Sequence, residues 1–198
     1  MSAPQPIAAS TIAAQAFRYM ELAPIGSFAD DSPQASAARE QYTLALKTVL
    51  EAHDWSFARR LAGLAEKAET DTTDPDMIHL YALPADCVAL RHVYAPCALW
   101  RQDGLEIRSE LAEKLVVRYT ALTQNEALLP ASFQTAVSLA LAVRLAPQYV
   151  SSRTKRSELK LDLQEAIAAA WNADRHSASH ARLDGREMQP DWAQEATW

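Results

Sequence analysis

The chain has 198 residues, 49% of them hydrophobic, with 25 acidic against 19 basic side chains and a formal net charge of -6. Such a length lets one domain with an appendage bury roughly 70% of its unfolded surface, so neither a disulfide framework nor a structural metal is required. The acidic balance argues against a protein that wraps nucleic acid, which takes clustered Lys and Arg, and only four Gly in an Ala-rich chain favour helices. Cys87 and Cys97 are the two cysteines, read as free thiols of a reducing compartment rather than a bridge. No charged segment followed by an apolar run opens the chain, so no secretory leader is expected and the protein reads as soluble and made in the cytoplasm.

Residues 1–9 are small and Pro-containing and read as a frayed end. Ser10 is placed to cap a first helix reaching about Leu22, with Ile12, Ala13, Ala16, Tyr19 and Met20 inward, and Pro24 and Gly26 stop it. Phe28 pins the following loop. Ser32-Pro33 then starts a helix with the hydroxyl at the N-cap and Pro at the first helical position. That helix extends to about His53 on a stripe of Ala38, Tyr42, Ala45, Leu46, Val49 and Leu50.

From Trp55 the period changes. Trp55, Phe57, Arg59 and Leu61 alternate with Ser56, Ala58 and Arg60, which suits a strand leaving a helical bundle, with a continued helix as the competing reading. Residues 66–76 are acidic and Thr-rich and form a solvated loop. Strands are expected at 78–83, 88–94, 98–101, 105–108 and 115–122, with a turn at Pro84-Ala85-Asp86 and a hairpin turn at Asp103-Gly104.

The most apolar stretch, Phe133 to Ala146, is interrupted only by Gln134, Thr135, Ser138 and Arg144. A helix apolar on nearly every face is central in a bundle or inside a membrane. This one is too short for ~30 Å of hydrocarbon at ~1.5 Å per residue, so it reads as the buried central helix. Pro130 lies upstream, and Pro147 is expected to end or kink it. After a polar break at 151–154, a helix from Ser157 to Asp174 carries Leu159, Leu163, Ala166, Ile167 and Ala170 as one stripe and completes a helical hairpin.

The expected fold is therefore α+β: an antiparallel helical bundle of two hairpins (residues 10–55 and 124–175), an inserted small antiparallel sheet (56–123) and an extended C-terminal tail (176–198). Structural anchors are expected at Trp55, Phe57, Phe133 and Val137. In the tail, Trp192 and Trp198 are large aromatics on a polar segment that cannot offset its own ordering entropy. That combination favours an arm ordering on a partner, with Arg186 and Met188 as further contact residues; both rings folding back on their own subunit is the competing reading.

Candidate chemistry is thin. His176 and His180 have the i, i+4 spacing of a helical zinc pair, yet the Glu of an HExxH site is absent. Cys87, Cys97, His79 and His92 form no CxxC pair, and alternation puts Cys87 and His92 on opposite strand faces. Asp71, Asp74 and Asp76 lack the Gly and bidentate Glu of a calcium loop. Trp55 and Phe57 beside Arg59-Arg60 could stack on nucleic acid, but two aromatics just after a helix read first as core anchors. There is no phosphate-binding loop, dinucleotide fingerprint or nucleophile elbow. These readings imply no cofactor, no metal and no enzyme.

One order of segments nevertheless resembles a known family. An early helix is followed by Ile25-Gly26-Ser27-Phe28 and Asp30-Asp31-Ser32-Pro33. A long helix ends in His53-Asp54-Trp55-Ser56-Phe57-Ala58-Arg59. Then come Tyr81-Ala82-Leu83-Pro84-Ala85-Asp86-Cys87, Val117-Arg118-Tyr119, and Leu128-Leu129-Pro130-Ala131-Ser132-Phe133 leading to Arg144-Leu145-Ala146. In this order and spacing over residues 10–175 the chain resembles the head-to-tail adaptor proteins of short-tailed bacteriophages, also called tail tubular protein A or gatekeeper. The resemblance implies a structural virion protein of the tail connector. Such a protein forms a ring with itself, commonly a dodecamer, below the portal protein, meets the tail nozzle or tube protein on the far side, and leaves a channel for DNA passage without sequence-specific binding or a membrane. A tail-associated hydrolase or other small phage enzyme is the alternative reading.

Overall fold

A computed structural model describes residues 10–67, 74, 76–94, 99–110, 112 and 114–177. The fold is α+β, and the described residues form four helices and two small antiparallel three-stranded sheets. Helices α1 (Thr11–Tyr19) and α2 (Pro33–Ala52) come first. Strands β1 (Arg59–Gly63), β2 (His79–Ala82), β3 (Cys87–Tyr94), β4 (Trp100–Asp103), β5 (Glu106–Ser109) and β6 (Val116–Ala121) follow, and α3 (Ala131–Tyr149) and α4 (Arg153–Ser177) close the described chain.

The caps act as their residue types dictate. The Ser10 hydroxyl accepts from the Ala13 amide, and the Ser32 hydroxyl accepts from the Ala35 amide with Pro33 at the first helical position. Helix α1 ends at Tyr19, short of Leu22. Glu21 turns left-handed at φ 62°, and the Leu22 amide donates back to the Phe17 carbonyl while the Glu21 amide donates to Arg18, a Schellman closure. Glu126, in the 3-10 turn Glu126–Leu128, draws the helices together by accepting from the hydroxyls of Ser10, Thr11 and Tyr42. Burial, and then this carboxylate, hold the Tyr42 hydroxyl protonated far into the alkaline range.

Helix α3 is the centre. Phe133, Ala136, Val137, Leu141 and Ala142 are wholly buried, and α1, α2 and α4 all pack on it. It does not stop at Pro147 but runs on to Tyr149. So near a C-terminus, Pro withholds only the one amide that would reach Val143, and the Val150 amide still closes the last turn on Ala146. Helix α4 starts at Arg153 rather than Ser157, because Ser152 in the polar break acts as a cap, its hydroxyl accepting from the Lys155 amide. Among the described residues no helix is long and apolar enough to cross a membrane.

Where one sheet was expected there are two, ordered β1-β6-β3 and β2-β5-β4. Their inner faces share an apolar core in which Tyr81 and Ile107 of one sheet meet Val93, Val117 and Tyr119 of the other. The strand expected from Trp55 begins only at Arg59, after a 3-10 turn over Ser56–Ala58. The reason lies in α4, where the Asp174 carboxylate accepts from both the backbone amide and the hydroxyl of Ser56 and holds this segment in a turn. In the β4–β5 hairpin, Asp103 pairs with Glu106, so the two-residue loop is Gly104-Leu105, one residue later than expected. Gly104 takes φ 63° at the first loop position, which L side chains resist, and Leu105 is left at the tip with 72% of its surface exposed.

Candidate functional site

The place where helices and sheets join gathers most of the unusual side chains. The chain leaves α2 at His53 in an extended conformation, which swings Trp55 under the bundle. Its ring is fully buried, and its indole N–H donates 2.9 Å back to the Val49 carbonyl. Phe133 meets Trp55 edge-on at 5.0 Å and Phe57 at 4.8 Å, Trp171 stands edge-on to Trp55 at 5.9 Å, and His53 stacks on Trp171 at 4.5 Å. A cleft of about 130 Å³ opens beside them, lined by Trp55, Phe57, Pro130, Phe133, Ala170 and Asp174 among others.

Guanidinium groups tie this wedge to the strands. Arg91 of β3 donates through one Nη to the carbonyls of Leu50, Glu51 and His53, at 2.9, 3.1 and 2.6 Å, and through Nε to Thr120 Oγ1 at 2.8 Å. Those carbonyls close α2, where a cation is favoured by the helix dipole. Asp54 is shared by Arg59 at 3.2 Å and Arg118 at 3.4 Å. With Asp54 held between two guanidinium groups and Asp174 occupied by Ser56, the carboxylates of the junction serve as ties. The arrangement joins α2, α4 and the strands at one place.

His53 makes this junction sensitive to acid. Burial, and then the Arg91 charge, lower its pKa below the ordinary value. A group favoured as neutral in the fold contributes stability that is complete above its unfolded pKa of ~6.5 and is lost as pH falls through the lower folded value. Stability measured by urea unfolding is therefore expected to decline below pH ~6.5, and His53→Gln to decline less over the same range. Equal slopes for the two proteins would remove His53 from the account.

The anchors expected from the sequence fall together only in part. Trp55, Phe57 and Phe133 form the wedge, whereas Val137 lies further along α3 and is wholly buried. Since Trp55 has no exposed surface, it cannot stack on a base. Arg186, Met188, Trp192 and Trp198 lie outside the described residues, as do Asp71, Cys97 and His180. His176 is exposed near the end of α4, His79 meets Glu66 at 2.6 Å, and His92 packs edge-on against Tyr94. Asp74 is ion-paired to Arg101 at 2.7 Å, and Asp103 holds the same guanidinium at 2.8 Å. Cys87 is half-buried, and burial followed by the Asp86 charge pushes its thiol up, away from the reactive thiolate. Among the described residues no three His, Cys, Asp or Glu side chains converge on a possible metal.

Comparison with protein-family models and with curated proteins finds no match for this chain.

The sequence reading missed two features. The first is Arg91, whose role depends on β3 lying across the end of α2; its only local signal was a lone cation in an apolar strand. The second is the β4–β5 hairpin, where Leu99 is 66% and Trp100 40% exposed at the base and Leu105 is exposed at the tip. Strand β4 is also the outer strand of its sheet, with backbone groups turned away from β5.

Proposed function

We propose that this protein is a structural virion adaptor of the tail connector, forming a ring below a portal protein and leaving a channel for DNA. The observation that carries this reading is where the segments resembling the adaptor family fall: most of them at the joints of the fold. Ser32-Pro33 starts α2, Trp55-Ser56-Phe57 forms the wedge, Asp86-Cys87 opens β3, Arg118-Tyr119 lies in β6, and Pro130 to Phe133 opens α3. A subunit that transmits force between two assemblies needs such rigid joints more than it needs a reactive cleft.

Leu99 and Trp100, adjacent and exposed at the base of the hairpin, offer apolar side chains to a neighbouring subunit. The net charge of -6 suits a conduit that repels phosphate rather than gripping it. On this reading the protein is non-catalytic, takes no cofactor and docks to the portal through the segment holding Trp192 and Trp198.

Electron microscopy of the protein mixed with its portal tests this. A ring of added density below the portal is expected with the full chain. Deleting 186–198 is expected to abolish that density while leaving the melting temperature nearly unchanged. Portal particles without added density would overturn the adaptor reading; a ring formed equally well by the deletion variant would overturn the docking role of the tail.

A further inference from the structure

Helix α4 sorts its charges to opposite sides. Glu158, Asp162 and Glu165 share one face, while Arg153, Arg156 and Lys160, at i, i+3 and i+7, share another. The three cations border a cleft of about 370 Å³ whose other wall is Val143, Ala146 and Pro147 of α3. Among the described residues none of the three makes an ion pair; the neighbouring Lys155 does, with Glu21 at 2.8 Å. The Arg156 Nε is buried and meets no acceptor.

This grouping is unfavourable for the chain alone. Like charges one turn apart repel, and cations in the first two turns oppose the helix dipole. A carboxylate lining the cleft would relieve both effects, and the cleft has none.

We propose that this cleft binds a phosphate group, either free or as a small phosphomonoester. Two guanidinium groups and an ammonium match the charge and the several acceptor oxygens of a phosphate dianion better than a single carboxylate. The volume exceeds that of a bare phosphate, and the apolar α3 wall suits a small organic group attached to it. This inference stands on the α3–α4 hairpin and is independent of the adaptor reading.

Titration calorimetry of the full chain in chloride buffer tests it, with inorganic phosphate and glycerol 3-phosphate as separate probes. Saturable binding at millimolar concentration or tighter is expected, together with a phosphate-dependent rise in melting temperature. The double variant R156Q/K160Q is expected to bind at least tenfold more weakly and, without phosphate, to melt no lower than the parent, because it removes repulsion. Lys47→Gln, an exposed site on α2, is the control and should bind as the parent does. Tighter binding of glycerol 3-phosphate assigns a phosphomonoester, and equal binding assigns the free ion. No saturable binding, equal binding by the double variant, or a preference for duplex DNA over both probes would overturn the proposal.

Discussion

Val137→Asp is expected to leave the protein unfolded at room temperature. Val137 has no exposed surface and lies in the middle of α3, the helix on which α1, α2 and α4 all pack. A carboxyl placed there has apolar neighbours, and burying an unpaired charge costs several kcal/mol even after the group neutralises itself by taking a proton. Total stability for a domain of this kind is ~5–15 kcal/mol, so one such group removes most or all of it. Circular dichroism should show loss of helical signal and of a cooperative melt. Val137→Ala, which leaves a void but no charge, is expected to fold with a lower melting point. A cooperative melt for Val137→Asp at the parent temperature would mean that α3 is not the centre of the core.

Trp55→Ala is expected to cost ~3–5 kcal/mol, the usual range for removing a fully buried aromatic. That corresponds to a melting temperature lower by roughly 6–20 °C in a chain of this size. Two losses contribute. The rings of Phe57, Phe133 and Trp171 are left around a void, and the Val49 carbonyl loses the indole N–H. Trp55→Phe separates them in part, since it keeps one aromatic ring in the wedge while removing the donor and the rest of the indole, and is expected to recover more than half of the loss. If Trp55→Ala melts within a few degrees of the parent, the wedge does not hold bundle and sheets together. If Trp55→Phe is as damaging as Trp55→Ala, a single ring at this position does not sustain the wedge, and the indole's full width and its N–H are both needed.

The helical half was legible in the sequence because its signals are local. The stripe in α2 and the capping residues Ser10 and Ser32 act within a few residues of themselves, and the all-round apolarity of Phe133–Ala146 marked the central helix directly. Trp55, Phe57 and Phe133 could be named as anchors from size and position alone. That they are one another's partners could not, since Phe133 is brought to them by packing across a long stretch of chain.

Tertiary structure decided the rest. The six strands divide into two sheets because pairing is set by partners distant in sequence, β1 with β6 and β2 with β5, which alternation within one strand does not encode. Asp174 turned an expected strand into a 3-10 turn from more than a hundred residues away. Arg91 became the cap of α2 only when β3 crossed its end. Local periodicity and capping determine which segments become helices, because their energies arise between near neighbours in the chain; strand partition, the aromatic wedge and the gathering of three cations against α3 arise from contacts that exist only after the chain has folded.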